Sequence, residues 1–84
     1  MNGDALARRG TIGTQLAADQ ANVAASQTAL DLSLARYRDG IDPYLNTLVA
    51  QRTVYAAQQS LISTELVRWQ NAVALYGALG GGAH

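Results

Sequence analysis

The feature that most constrains this chain is a helix stop, a turn and a helix restart within residues 37–52, set between two long segments with helical spacing. Gly40 has no Cβ and therefore suits the left-handed conformation that ends many helices. Asp42 is a good N-cap, and Pro43 fits the first position of the next helix, where no N–H is needed. Because the connection is short, roughly residues 39–42, the sequence predicts two antiparallel neighbouring helices.

The segment after the turn carries two apolar stripes. The first keeps an unbroken 3-4 spacing, typical of a coiled-coil seam, and comprises Leu45, Leu48, Arg52, Tyr55, Gln59, Ile62, Leu66, Trp69, Val73 and Tyr76. A second set is expected beside it, comprising Ala50, Val54, Ala57, Leu61, Leu75 and Leu79. A helix with two adjacent stripes contacts neighbours on both sides. We expect Tyr55, Trp69 and Tyr76 to pack in a core rather than to stack on a ligand.

The segment before the turn is periodic but carries less side-chain bulk. Its seven-residue repeat comprises Leu16, Val23, Leu30 and Tyr37. Seven alanines alongside this repeat favour a helix and let a partner helix approach closely. Gly10 and Gly13 each cost about 1 kcal/mol within a helix. The local signals therefore allow a start at Thr14, or at about Ala5 with a loosened turn near Gly10.

Composition narrows the functional classes. The chain has 84 residues and a formal net charge of zero, with six arginines and no lysine, which argues against binding driven by nucleic-acid phosphates. It has no cysteine, and its single histidine is the last residue, His84, so that thiolate, histidine-metal and histidine-base chemistry have no support. No run approaches the roughly 20 apolar residues that cross a bilayer.

Two further features could imitate a catalytic or phosphate site. Asp39 and Asp42 fit a solvated turn with a helix cap better than a pair of acid–base carboxylates. Gly80-Gly81-Gly82 lacks the lysine and the following helix of a phosphate-binding loop. We therefore expect no enzyme, no cofactor, no metal, no nucleic-acid partner and no direct membrane insertion by this segment.

The order of residues around the turn carries a family resemblance. The pattern contains Leu34-Ala35, Tyr37, Gly40, Tyr44-Leu45, Leu48, Ala50-Gln51-Arg52, Tyr55-Ala56-Ala57-Gln58-Gln59 and Leu61-Ile62. The stretches Ala5–Thr11 and Val73–Gly82 extend it over nearly the whole chain. In order and spacing these residues resemble the outer membrane factor family, the TolC/OprM-like outer-membrane channels of tripartite efflux pumps.

This resemblance implies that residues 1–84 are one helical hairpin, a fragment of a larger channel subunit. Members of the family are trimers with a β-barrel in the outer membrane and a long α-helical barrel in the periplasm. The fragment would be the last periplasmic hairpin, with helices over about 5–38 and 43–79 and a disordered or tail segment at 80–84. The fold class is an all-α, antiparallel two-helix coiled coil that associates into a helical bundle.

The resemblance also implies roles for residues near the turn. In the family this tip faces the periplasmic adaptor (membrane fusion) protein and forms the closed end of the channel. By position, the adaptor-facing residues are Tyr37, Gly40, Ile41 and Asp42, and the residues on the pore-constriction side are Asn46, Val49 and Arg52. Many members have acidic residues where this sequence has the uncharged Asn46 and Val49. Arg52 keeps the family's basic position behind the tip.

Two other classes of protein also fit the two apolar segments and the short turn. A stand-alone helical hairpin could dimerise into a four-helix bundle as a structural or interaction module, and a secreted or phage-like coiled-coil helper is favoured only by the small size. Self-association is expected in each case, as a trimer in the longer parent protein or as a dimer or another bundle of the fragment. The reason is that exposed apolar stripes require cover.

Overall fold

The computed structural model of the protein is a hairpin of two long helices. It describes residues 2–81, and side-chain surroundings for residue 4 and residues 6–77. Helix α1 spans Asn2–Arg38 and helix α2 spans Tyr44–Gly81. The two lie side by side along a body with extents of 67 × 15 × 13 Å. Within the described residues there is no strand, and the predicted all-α helical hairpin is confirmed.

The helix boundaries differ slightly from those expected. Helix α1 begins at Asn2, before both predicted starts, and continues through Gly10 without a break. Helix α2 begins at Tyr44, one residue after Pro43, whose carbonyl accepts a hydrogen bond from the Asn46 N–H at 3.1 Å. It ends at Gly81 rather than at residue 79, and the remainder of the predicted tail, residues 82–84, lies outside the described residues.

The helices meet along a set of residues that we call the inner seam. On α1 these buried or half-buried residues are Ile12, Leu16, Asp19, Val23, Ser26, Leu30 and Ser33. On α2 they are Thr47, Ala50, Val54, Ala57, Leu61, Thr64, Asn71 and Leu75. Both sets follow the 3-4 spacing of an antiparallel coiled coil. The buried members include four polar residues and three apolar ones, so that the seam removes little apolar surface from water.

Polar contacts cross the inner seam at two levels. Midway along the hairpin, the Thr64 hydroxyl donates a hydrogen bond to Oδ2 of the buried Asp19, whose Oδ1 accepts one from Gln15 Nε2 at 2.9 Å. Near the turn, the hydroxyl of the fully buried Thr47 donates to the Ser33 carbonyl at 3.4 Å. Because each bond joins one position on α1 to one on α2, together they fix the register of the antiparallel pair.

The stronger apolar stripe of α2 faces away from α1. We call it the outer stripe, and its apolar members are 42% to 79% exposed: Leu45, Leu48, Tyr55, Ile62, Leu66, Trp69, Val73 and Tyr76. The prediction that Tyr55, Trp69 and Tyr76 pack in a core is therefore wrong for the hairpin itself. The two stripes are also not adjacent, because their heptads are offset by two residues, or about 200° around the helix.

Thr64→Val tests the contribution of the hydrogen bond across the seam. The variant keeps the shape of the side chain but leaves the buried Asp19 with one hydrogen-bond partner fewer, which should cost about 1–3 kcal/mol of the free energy of unfolding. Urea denaturation at matched protein concentration measures the loss. Thr53→Val is the control, because its exposed hydroxyl bonds only the Val49 carbonyl of the same helix. An equal loss of the free energy of unfolding in Thr64→Val and Thr53→Val would contradict a stabilising hydrogen bond from Thr64 to Asp19.

Candidate interaction site at the hairpin tip

The tip is a helix C-cap built by backbone hydrogen bonds. Gly40 has a φ of +73°, and its N–H donates to the Tyr37 carbonyl at 3.0 Å. The Ile41 N–H donates to the Arg36 carbonyl at 2.9 Å. This pair of bonds, spanning three and five residues, is the Schellman motif, which requires the left-handed conformation at its central residue. The sequence placed Gly40 correctly, because only a residue without a Cβ adopts this φ at little cost.

An ion pair closes the turn from the side. Arg36 Nε lies 2.5 Å from Asp42 Oδ2, and a second guanidinium nitrogen lies 3.2 Å from Oδ1, so that the contact is bidentate. The hydrogen bonds from Arg36 lower the pKa of the Asp42 carboxyl most strongly. Partial desolvation opposes them, and the charge attraction and a hydrogen bond from Asn46 add to the lowering. The same contact raises the pKa of the Arg36 guanidinium.

Asp42 therefore has a different role from the one predicted. The sequence placed it as the N-cap of the second helix, with Pro43 as the first helical residue. In the described structure α2 begins at Tyr44, and the Asp42 carboxylate accepts its hydrogen bonds from the Arg36 guanidinium. The carboxylate ties the turn back to the end of α1, because a guanidinium is the stronger partner within its reach.

Aromatic and apolar side chains form the exposed surface of the tip. The rings of Tyr37 and Tyr44 lie 4.9 Å apart with a tilt of 57°, in the range where aromatic pairs attract. Both tyrosines are about half exposed, and Ile41 at the end of the turn is 59% exposed. The tip therefore presents a small apolar surface on a backbone held by hydrogen bonds and an ion pair.

The structure brings together some of the predicted site residues and separates others. The four predicted adaptor-facing residues, Tyr37, Gly40, Ile41 and Asp42, lie together at the tip, and the Asn46 N–H donates a hydrogen bond to the Pro43 carbonyl beside them. Val49 and Arg52 lie apart from them, along α2. They line a shallow groove beside Leu48, Tyr55 and other members of the outer stripe.

Two residues that organise the tip were not among the predicted site residues. Arg36 holds the turn through Asp42, and Tyr44 pairs with Tyr37 across it. A signal for the ion pair was present, since opposite charges six residues apart flank a glycine turn that folds the chain back on itself. Among the described residues, no cluster of histidine, cysteine or carboxylate side chains could hold a metal ion. None of the described helices has the length and apolar content needed to cross a membrane.

The lowered pKa of Asp42 predicts a pH dependence of stability. Its ion pair contributes at pH values above the ordinary carboxyl pKa of about 4, and the contribution is lost as the pH falls through the lower folded-state value. Arg36→Gln should therefore flatten the decrease in denaturation midpoint between about pH 5 and pH 2. Arg38→Gln is the matched control, an exposed arginine in the same helical turn. If the denaturation midpoint of Arg36→Gln decreased with pH as steeply as that of the wild type, the result would contradict the ion pair.

Comparison with known proteins places this hairpin within longer relatives. Efflux pump outer membrane proteins of Pseudomonas putida match it over 79 residues: the toluene efflux pump protein TtgC at 47% identity and the probable efflux pump protein SepC at 46%. The cation efflux system protein CusC of Escherichia coli is 39% identical over 79 residues. These alignments cover 94% of this chain.

The same alignments cover 16% to 17% of each relative, so that the chain spans about a sixth of their length. The relatives are named for efflux rather than for catalysis, in agreement with the expectation of a chain that is not an enzyme. No solved structure matches the chain. The family model described as outer membrane efflux protein matches residues 3–81, and the chain belongs to that family.

Proposed function

We propose that the chain is a periplasmic α-barrel hairpin of an outer-membrane efflux channel subunit. Its tip docks a periplasmic adaptor protein and forms part of the channel's closed end. The observation that carries the proposal is the outer stripe, since α2 keeps its large apolar side chains away from its partner helix. A helix that is apolar on opposite sides can pack between two neighbouring helices, as in the wall of an α-helical barrel.

The energetics support assembly with further helices. Burying one Leu, Ile or Val side chain contributes about 1.5–3 kcal/mol, so that the outer stripe offers on the order of 10 kcal/mol when neighbours cover it. The buried apolar residues of the inner seam are Ile12, Val54 and Ala57, and its other apolar members are half-buried. The larger part of the hydrophobic stabilisation therefore comes from contacts outside the hairpin. In the longer subunit the proposed arrangement is a trimer, with the hairpin as one part of the barrel wall.

The tip suits the docking of a helical partner. Its exposed apolar residue Ile41 and the tyrosine pair stand on a turn that is held before any partner arrives, which reduces the entropy lost on binding. Gly40 leaves the backbone of the turn uncovered, so that a partner can approach closely. On the pore-constriction side, Asn46, Val49 and Arg52 supply one positive charge and no negative charge. The action is passive: the helices shift at the tip while the adaptor seals the joint.

A second candidate function uses the same observation. The outer stripe could instead be covered by another copy of the hairpin in a four-helix bundle, which would make the chain a stand-alone structural or interaction module. The two functions differ in the size and location of the protein in its source cells.

An immunoblot of fractionated source cells, with an antibody against this chain, separates these two functions. The channel function predicts a band several times heavier than 8.8 kDa in the outer-membrane fraction. The reason is that relatives of this family are about six times longer than the matched segment. A soluble band near 8.8 kDa would instead establish the stand-alone hairpin.

Gly40→Val, introduced into the outer-membrane protein that carries the hairpin, tests docking at the tip. A β-branched residue at this positive φ costs about 1–3 kcal/mol and disturbs the turn, so that adaptor cross-linking should fall several-fold while the trimer persists. Gly77→Ala is the control, because Gly77 lies within α2 and an added Cβ meets nothing within 4 Å. Unchanged pump activity and cross-linking in Gly40→Val would count against the docking role.

A further inference from the structure

One side of the hairpin carries no charge over most of its length. On α1 its exposed residues follow a 3-4 spacing and are Thr11, Gln15, Ala18, Asn22, Ala25, Ala29 and Leu32. On α2 they are Asn46, Val49, Thr53, Ala56, Ser60, Ser63 and Val67. The two rows lie on the same side, because Thr11 and Gln15 line one shallow groove with Ser63 and Val67. We call these two rows the neutral face.

The charged residues behind the tip lie elsewhere. Asp19 is buried in the inner seam, and Asp31, Glu65 and Arg68 belong to neither row of the neutral face. At 1.5 Å per residue, the α2 row runs for roughly 30 Å. Over this distance the face offers hydroxyl, amide and small apolar groups, so that it presents no fixed charge to a solute that passes along it.

Arg52 is an uncompensated charge at the tip end of this face. It follows Val49 by three residues in α2, and it is exposed. Within the described part of the chain Arg52 lies in no ion pair, and no carboxylate stands three or four residues away from it along α2. The groove that it lines beside Leu48 and Tyr55 contains no carboxylate either. The hairpin therefore does not neutralise the charge of Arg52.

The other charges near the tip cancel. The α1 row ends one turn before Arg36, whose charge is neutralised by Asp42 in the bidentate ion pair. Arg38 and Asp39 add one positive and one negative charge at the turn. Residues 36–52 thus carry three positive and two negative charges, and the net charge of +1 corresponds to Arg52.

We propose that Arg52 makes the narrow end of the channel selective for anions. The inference rests on the proposed function, in which the hairpin is part of a trimer and Asn46, Val49 and Arg52 lie on the pore-constriction side. The neutral face then lines the channel behind the constriction. Three copies of Arg52, one from each subunit, place three positive charges at one level of the pore.

A ring of arginines at a constriction acts on ions through their charge. Rings of Arg or Lys favour anions in pores, because low-dielectric walls focus the field of the fixed charges. Salt screens this field little, since the Debye length of about 10 Å at 0.1 M exceeds the distance between an ion and the wall of a narrow pore. The neutral face adds no competing charge, so that one residue sets the sign of the preference.

The zero-current potential of single channels in planar lipid bilayers tests this proposal. The outer-membrane protein that carries the hairpin is reconstituted between two KCl solutions of different concentration. We expect the wild type to show the sign set by Cl⁻, and Arg52→Gln to reduce the ratio of Cl⁻ to K⁺ permeability at least about threefold. Arg38→Gln is the matched control and should leave the ratio nearly unchanged, because Arg38 is exposed at the same end of the hairpin but lies outside the neutral face.

Arg52→Cys separates the charge of the side chain from its shape. The 84 residues contain no other cysteine, so that a methanethiosulfonate reagent reacts within them at position 52 alone. A cationic reagent should restore the preference for anions, whereas an anionic reagent should change it to a preference for cations. Because both reagents act on the same folded channel, a difference between them cannot come from misfolding.

Two outcomes would overturn the role of Arg52 and leave the channel function in place. One is a preference for cations in the wild type, and the other is an equal change of the permeability ratio in Arg52→Gln and Arg38→Gln. If the longer protein formed no channel at all, the proposed function would fail and this inference would fail with it.

Discussion

The structure depends on one geometric constraint, the phase difference between the two apolar repeats of α2. The repeats are offset by two residues, which places them about 200° apart around the helix. Helix α1 can cover one of them, and it covers the one with the smaller side chains, such as Ala57 at the inner seam, while Trp69 and Tyr76 stay exposed. Forming the hairpin therefore leaves its most hydrophobic surface in water, which is the observation behind the proposed assembly with further helices.

The inner seam stabilises the hairpin less by apolar area than by register. Asp19 with Thr64 and Ser33 with Thr47 join specific positions on the two helices. Shifting the pairing by one heptad would leave the buried carboxylate of Asp19 without its hydroxyl donor, a costly state in a partly dehydrated seam. Polar groups of this kind are a known means of fixing the alignment of coiled coils, at some expense in stability.

Local chemistry made the turn predictable. Gly40 was placed from its missing Cβ alone, and the helix ends beside the turn, expected at residues 38 and 43, fell within one residue of the observed ones, whereas a start of α1 at Thr14 was wrong. Which of the two stripes of α2 packs against α1 was not predictable in the same way, because it depends on which residues of α1 are available to pack against them. Asp19 and Asn71 were missed since a polar residue at a seam position looks, in sequence, like part of a solvated face. The roles of Ile41 and Val49 came from the family resemblance and remain predictions.

The interactions that shape the tip are all local to the turn and the helix ends beside it. The hydrogen bonds, ion pair and tyrosine contact that shape the tip all lie within residues 35–46. The inner seam behind them is held in register by two further side-chain hydrogen bonds, which join Asp19 to Thr64 and Thr47 to the Ser33 carbonyl. Under the proposed function, the hairpin therefore shifts in the barrel wall as one unit while it presents an unchanged tip to the adaptor. The Arg36–Asp42 pair matters for this reason, because it ties the turn back to the end of α1.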